Sequence, residues 1–497
     1  MAPSSPPPPL TRAALRSVFA GAAGADAADA GVSGTGDSHP GVSERGASET
    51  GACETRASGA GADASGPREL VGVEVETAAV DPATGAAVPY EGPRGLRALL
   101  ELLAAEWPGA APMSDRTVLT GVRLAGGGTV TLEHGGAVEY SSPPRTCVAE
   151  LARVTDAALR EVAAAARRLG FALVPGGQYP FTAPDQVAWV PHSRTPVMRR
   201  HFESLGPAGS GGPWVMSLAL STQVSLDFTS PGDLADKLRT LAAVSTPAAA
   251  LFLNAPLEGG RPCGLLSRRM DSLRRTDPAR TGVIPAMLRQ DVDVEKVIDW
   301  ALTLPMIHRA APDGGRCAAP AADFGTLLTT GFPDGGRPSL ADWRSHLSQI
   351  FSDVRVRETL ELRAVDGPPY RALFAAPAFF TGLGYHPPAR AAATEMLRGI
   401  SPGEHRTALE DIARRGLGAR LAGRPVREVA AELLRLSREG LRARVATGAE
   451  RPEALAFLDP LDAVLDEGVT FAERMLAERA RDPAGFPAHH IARHRVP

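Results

Sequence analysis

Lysine is almost missing from this chain: among 53 basic residues only Lys237 and Lys296 are lysines. Neither follows a glycine, so there is no G-x-x-x-x-G-K-[ST] phosphate loop, and lysine Schiff-base chemistry has no good candidate. Cysteine is scarce too. Cys53, Cys147, Cys263 and Cys317 lack C-x-x-C spacing, which excludes a cysteine zinc site and a disulfide scaffold. These thiols read as inert small residues. No apolar run reaches the ~20 residues of a membrane-spanning helix, and the N-terminus lacks the apolar core of an export signal. A cytoplasmic setting is the resulting expectation. A dominant charge sign is also lacking: the net charge is −3 at pH 7, so no basic field points to nucleic acid or to a membrane surface.

The 497 residues, 44% hydrophobic and 22% charged, suit a soluble globular protein. Residues 1–68 are mainly Ala, Gly, Ser, Pro and Asp, and are expected to form a disordered leader before a folded region at 69–497. In that region strand and helix patterns interleave. VGVEVE (71–76) alternates with period two, as does TVTLEH (129–134), which enters a Gly135-Gly136 turn and returns as AVEY (137–140). WVMSLALSTQVSLDF (214–228) and RVRETLELRAVD (355–366) each read as one strand. Helices are expected over 92–107, over 145–170 with Gly170 closing it, after the Ser230-Pro231 cap, and through most of 402–480.

The strands share one peculiarity. Behind each apolar row lies a row of carboxylates, amides or arginines: Glu74, Glu76, Glu133, Glu139, Gln223, Glu361 and Arg363. Glu74 and Glu76 alone stand about 7 Å apart on one strand face. A solvated outer face is one reading. The other is a cleft in which divalent cations, typically Mg²⁺ with substrate phosphates, relieve the repulsion while arginines clamp anions.

The ordered motifs VGVEVE, LEHGGAVE, STQVSLDF, NAP (254–256), SRRMDSLRRTDPARTG (267–282) and TLELRAVD resemble the glutamate–cysteine ligase family. The likeness is to the branch shared by plants and some bacteria, and to actinobacterial ligases of ergothioneine biosynthesis. It extends through DWRSHLSQIFSDVR (342–355) and LFAAPAFFTGLGY (373–385). The resemblance implies an α+β, glutamine-synthetase-like fold: a curved antiparallel sheet funnel, helices on its outer face and a helical C-terminal region. It also implies a catalytic domain over 69–497 that uses ATP and Mg²⁺ to join the γ-carboxylate of glutamate to the amino group of cysteine. The product would serve ergothioneine- or glutathione-type thiol biosynthesis. By position, Glu74, Glu76, Glu133, Glu139, Gln223 and Glu361 would surround the metal. Arg363 and Arg280 would act near phosphate, and Arg194 and Arg269 would hold the glutamate carboxylate. The implied partners are small molecules, with neither nucleic acid nor membrane, and the assembly a monomer or homodimer.

The chain departs from that family at the acceptor. Thr195 and Trp300 stand where relatives carry tyrosine, Tyr370 and Leu273 where they carry tryptophan, and Glu358 where a basic residue is usual. An amine other than cysteine is therefore an alternative acceptor, and a non-catalytic homologue a third reading. His490 and His494, spaced i, i+4, would share a helix face, but the sequence shows no third metal ligand beside them.

Overall fold

The alternation at Val71 becomes strand β1 (Val71–Val80), the centre of a sheet in the computed structural model, which describes residues 10–19 and 69–497. The same sheet contains β2 (Ala111–Asp115), β3 (Val118–Arg123), β4 (Thr129–Leu132), β5 (Val138–Ser141) and β6 (Ala172–Pro175). It is completed by β7 (Thr222–Leu226), β8 (Val354–Val356) and β9 (Leu360–Leu362). Among the described residues these nine strands pair antiparallel in the order β8-β9-β7-β1-β5-β4-β3-β2, with β6 on the far end of β1.

Register decides the faces. Glu74 lies opposite Gln223 and Ser141, Glu76 opposite Glu139, and Glu361 opposite Arg355 and Ser225. Residues directly opposite in antiparallel strands project to the same side, so these groups share one face. Val73, Val75, Val130, Tyr140, Val224 and Leu362 form the other, and all are buried.

Helices α2 (Leu96–Glu106), α3 (Val148–Arg168), α4 (Pro231–Ala249) and α5 (Ala375–Gly384) cover that apolar face, α6 (Val426–Ala446) packs on α5, and α1 (Arg12–Ser17) lies against the helices Val294–Leu302 and Leu340–Ser348. Leu96, Leu99, Leu100 and Leu103 make the buried stripe of α2. The Ser230 hydroxyl accepts from Asp233 N at 3.1 Å to cap α4. Helix α5 is buried on all sides and crosses α6 at closest approach. A Cβ at Gly440 would lie 1.9 Å from the Gly382 carbonyl oxygen, so only glycine fits there. The expected α+β class, with helices outside the sheet and in the C-terminal region, is the one observed.

Three expectations need correction. Residues 214–228 are not one strand, because Gly212–Leu218 is helical and only Thr222–Leu226 joins the sheet. Pro213 in the first turn favours the helix, and Trp214, Ser217 and Leu218 bury at helical spacing. Residues 355–366 are likewise a hairpin, β8 turning through Arg357-Glu358-Thr359 into β9, which still leaves Arg355 and Glu361 on one face. The leader, finally, is not wholly unpacked. Helix α1 lies within it and buries Leu15, Val18 and Phe19. Trp343 Nε1 donates to the Leu15 carbonyl at 3.2 Å, and Arg12 and Arg16 pair with Glu295 at 2.7 and 2.5 Å. The rest of the expected disordered leader, 1–9 and 20–68, lies outside the described residues. Among the described residues no helix is long and apolar enough to cross a membrane.

Phe19 packs edge-on against Trp343 at 6.5 Å between centroids. Phe19→Ala should cost about 3–5 kcal/mol, the range for truncating a buried phenylalanine. Chemical unfolding with intrinsic tryptophan fluorescence measures this, and an unchanged midpoint would show that α1 does not hold its dock.

Candidate active site

The polar sheet face opens into a cavity of about 140 Å³, lined by Glu74, Glu76, Glu133, Glu139, Gln223, Arg194, Arg269, Arg355 and Arg363. Strands β1, β5 and β7 supply Glu74, Glu76, Glu139 and Gln223, while Glu133 follows β4. Gly136, with φ at +89°, makes the turn between β4 and β5. Its neighbour Gly135 lets the Gly212–Leu218 helix press close, since a Cβ there would sit 1.9 Å from Ser217 O. A larger hollow of about 830 Å³ on the C-terminal helices is lined by paired surface charges such as Arg415 with Asp411, and gathers no comparable set.

The carboxylates differ in how well the protein neutralises them. Glu361 is clasped by Arg355, whose Nε and Nη2 donate to its two oxygens at 2.8 and 2.7 Å, and Arg363 bonds it as well. Burial pushes this carboxyl up, but Arg355, Arg363 and Arg357 outweigh it and hold it down to about 2. The other side of the cleft is different. Burial, then Glu361, pushes Glu74 up to about 7, and burial with Glu133 does the same to Glu76. Glu139 is driven well above the ordinary range by burial and by Glu74, Glu133 and Glu76. Its visible relief is small: Thr131 and Ser141 hydroxyls donate to it at 3.1 and 3.4 Å. Ser221 Oγ and Gln223 Nε2 donate to Glu76 at 2.9 and 3.3 Å.

Among the arginines, Arg194 reaches the cavity with a buried Nε that makes no hydrogen bond. Arg269 is fixed from behind, its Nη2 donating to Arg363 O at 2.8 Å and its Nη1 lying 3.5 Å from Asp366. Arg363 bonds Gln223 and Glu361. Arg280 is placed differently from the expectation. It is 1% exposed and does not line the cavity, with donors committed to Asp277 at 2.7 Å and Pro305 O at 2.8 Å. Its donors are thus engaged by the protein rather than turned into the cavity.

The expected acceptor residues separate as well. Thr195 does not line the cavity itself but stands behind it, its hydroxyl 2.6 Å from Nδ1 of His134, which does. Trp300 packs half-buried on the core, on the helix Val294–Leu302, and Tyr370 bonds Asp156 of α3. Neither lines the cavity. Three contributors were overlooked in the sequence: Arg355, Ser221 and Asp366. Arg355 was visible in the period-two row that ends in Glu361 and Arg363. Ser221 likewise stands two residues before Gln223 in the polar row of its segment, whereas Asp366 carried no such signal, because loop geometry brings it in.

A buried cluster of acids faces arginines on an antiparallel sheet backed by helices, a site with the charge to take small polar or anionic molecules. The chain belongs to the glutamate–cysteine ligase family and is a ligase: the model of glutamate–cysteine ligase family 2 matches residues 70–488. Over 350 residues it is 31% identical to chloroplastic glutamate–cysteine ligase B of Oryza sativa subsp. japonica, covering 70% of this chain and 68% of the relative. The chloroplastic glutamate–cysteine ligase of Arabidopsis thaliana is also 31% identical over 350 residues, 70% of this chain and 65% of that protein. A glutamate–cysteine ligase of Francisella tularensis, solved in complex with AMP, is similar in fold, with 13% identity, a TM-score of 0.51 and coverage of 86% of this chain and 87% of that one. These relatives overturn the cytoplasmic expectation: the plant proteins are named as chloroplastic, and the lack of an export signal was no measure of compartment.

An ordinary glutamate in the unfolded chain releases its proton near 4.5, whereas folded Glu74 and Glu76 keep theirs up to about 7. The folded state binds the extra protons across that window, so stability falls as pH rises through it and levels off above. Glu361 acts in the opposite sense, losing its contribution only as pH drops from about 4.5 towards 2. In chelator, Glu74→Gln should therefore flatten the decline in melting temperature between about pH 5 and pH 7.5 and melt above wild type at the upper end. Identical slopes for the two proteins would contradict the crowding of these acids.

Proposed function

We propose that the protein is an ATP- and Mg²⁺-dependent glutamate–cysteine ligase that joins the γ-carboxylate of glutamate to the amino group of cysteine through a γ-glutamyl phosphate. The observation that carries this reading is the single cavity in which Glu74, Glu76, Glu133 and Glu139 face Arg194, Arg269 and Arg363. The names of the plant relatives supply the substrates. The donor set fits Mg²⁺: hard carboxylate oxygens, crowded enough to bind protons in its absence. Glu74, Glu76, Glu133 and Glu139 would hold it, with the Gln223 amide beside them. Glu361, both oxygens engaged by Arg355, would instead orient Arg363. When bound, Mg²⁺ neutralises charge on the transferring phosphoryl group.

The chain's own residues would do the positioning. Arg194, with its unpartnered Nε, would hold a glutamate carboxylate, and Arg269 and Arg363 would meet phosphate or carboxylate oxygens across the cavity. A γ-carboxylate oxygen attacks the terminal phosphorus of ATP, and ADP leaves. The amine nitrogen then attacks the acyl carbon, loses a proton and expels phosphate. No protein nucleophile is needed, and the buried cleft keeps water from the mixed anhydride. Product would feed low-molecular-weight thiol biosynthesis of the ergothioneine or glutathione type.

A second reading, γ-glutamylation of a different amine, is favoured by the apolar wall of Met198, Phe202, Val215, Met216, Leu273 and Phe351. Such a wall separates acceptors by only about 1–3 kcal/mol per methylene. Purified protein would be given ATP, Mg²⁺, glutamate and one amine at a time, with phosphate release compared with product mass. Glutamate should be indispensable, cysteine the best acceptor, and 2-aminobutyrate within about 200-fold of it. Arg194→Ala should lower kcat/KM for glutamate at least ~30-fold, as losing a charged hydrogen bond implies. If only another amine yields product, the cysteine assignment falls. If none stimulates ATP cleavage, the ligation reading itself falls.

A further inference from the structure

Away from the cleft, the helices Phe471–Arg481 and Phe486–His494 border a second cavity of about 300 Å³. The first helix brings Glu478, the second His490 and His494, one turn apart on one face. Their donor atoms all lie within 4.8 Å of one another. His490 Nδ1 is 4.0 Å and His494 Nε2 3.8 Å from the same oxygen, Glu478 Oε2. Both separations are too long for a hydrogen bond. His490 is only 6% exposed, and its Nδ1 is a buried atom without a hydrogen-bond partner. Buried ring nitrogens are normally satisfied, and this one faces the Glu478 carboxylate without a hydrogen bond.

We propose that Glu478, His490 and His494 bind a divalent transition-metal ion, with Zn²⁺ the best match to two imidazoles and one carboxylate. Two histidines and a glutamate form a known three-donor set for zinc with one position left open. Metal–ligand bonds of about 2.0–2.2 Å put tetrahedral donors roughly 3.4 Å apart. The two histidine–glutamate distances would thus close by about half an ångström and the histidine–histidine one, within 4.8 Å, by at most about 1.4 Å, which side-chain rotation of the half-buried His494 can supply. The outer oxygen of Glu478 accepts from Arg493 Nη1 at 2.7 Å, the kind of supporting bond that orients a ligating carboxylate. Arg371, Arg474 and Arg493 line the same cavity and oppose a cation. Two of them are already paired, Arg493 with Glu478 and Arg474 with Glu467 at 3.0 Å. Their presence favours water or a small anion at the open position. The ion would also fasten the last helix, since Val496 N already donates to Leu173 O of β6 at 2.9 Å.

The test uses the full chain without a histidine tag, stripped with chelator and kept in excess Mg²⁺ to occupy the carboxylate cleft. Zn²⁺ is titrated against a chromophoric chelator, and Co²⁺ is added to parallel samples to read its ligand-field spectrum. Wild type should bind one Zn²⁺ tightly and give an intense spectrum of low-coordinate Co²⁺ with nitrogen ligands. His494→Ala and Glu478→Gln, checked for folding by circular dichroism, should each weaken Zn²⁺ at least ten-fold and lose that spectrum. No tight Zn²⁺ in wild type, a Co²⁺ spectrum without nitrogen ligation, or variants of full affinity would each overturn the proposal. The wild-type measurement decides even where a variant fails to fold.

Discussion

Two carboxylates two residues apart on one strand cannot turn away from each other, and Glu74 and Glu76 are held in this way at the centre of the sheet. Register then places Glu139 across from Glu76. The sheet thus carries a gradient of compensation along its polar face. At the β9 end Arg355 and Arg363 neutralise Glu361 so fully that its carboxyl sits near 2. At the β5 end Glu139 has hydroxyl donors and acidic neighbours, and is driven the other way. The negative potential of this face is thus concentrated at the uncompensated end, with the arginines beside it.

The arginines keep their places because a further layer holds them. Asp366 faces Arg269 and accepts from Asn254 N at 2.9 Å and Ser267 Oγ at 3.1 Å. Asn254 Nδ2 in turn donates to Gly367 O at 2.9 Å. The N-A-P segment and the start of the S-R-R-M segment are thereby tied to the chain just after β9. A guanidinium whose hydrogen bonds at the back are satisfied presents its remaining edge to the cavity with little freedom to lose.

Much of this was legible in sequence because a strand's period of two is a strong local signal. Glu74, Glu76, Glu139 and Gln223 follow from it directly. The hairpin at 355–362 preserved the predicted face even though it broke the predicted strand, since Arg355 and Glu361 are partners across the turn. What failed was local pattern without long-range information. WVMSL alternates like a strand yet folds as a helix behind Pro213. Arg280 looked available in an arginine-rich run, but Asp277 and Pro305 hold it in the interior. Trp300 and Tyr370 belong to surfaces that no local pattern connects to the cavity. Helix α1 was hidden by its composition: a few apolar side chains in a low-complexity stretch suffice when Trp343 and Glu295 are waiting for them.

The order of strands has a consequence for biosynthesis. Strand β1 comes at the start of the main described region, but β9, which pairs with β7 beside it, comes only after residue 359. A nascent chain therefore exposes Glu74, Glu76, Glu133 and Glu139 long before Arg355 and Arg363 leave the ribosome. Until then the acids lack these two counter-charges, and the open edge of β7 has no neighbour. Closing so long a loop is slow, which leaves a half-built sheet as the species that chaperones and proteases would meet.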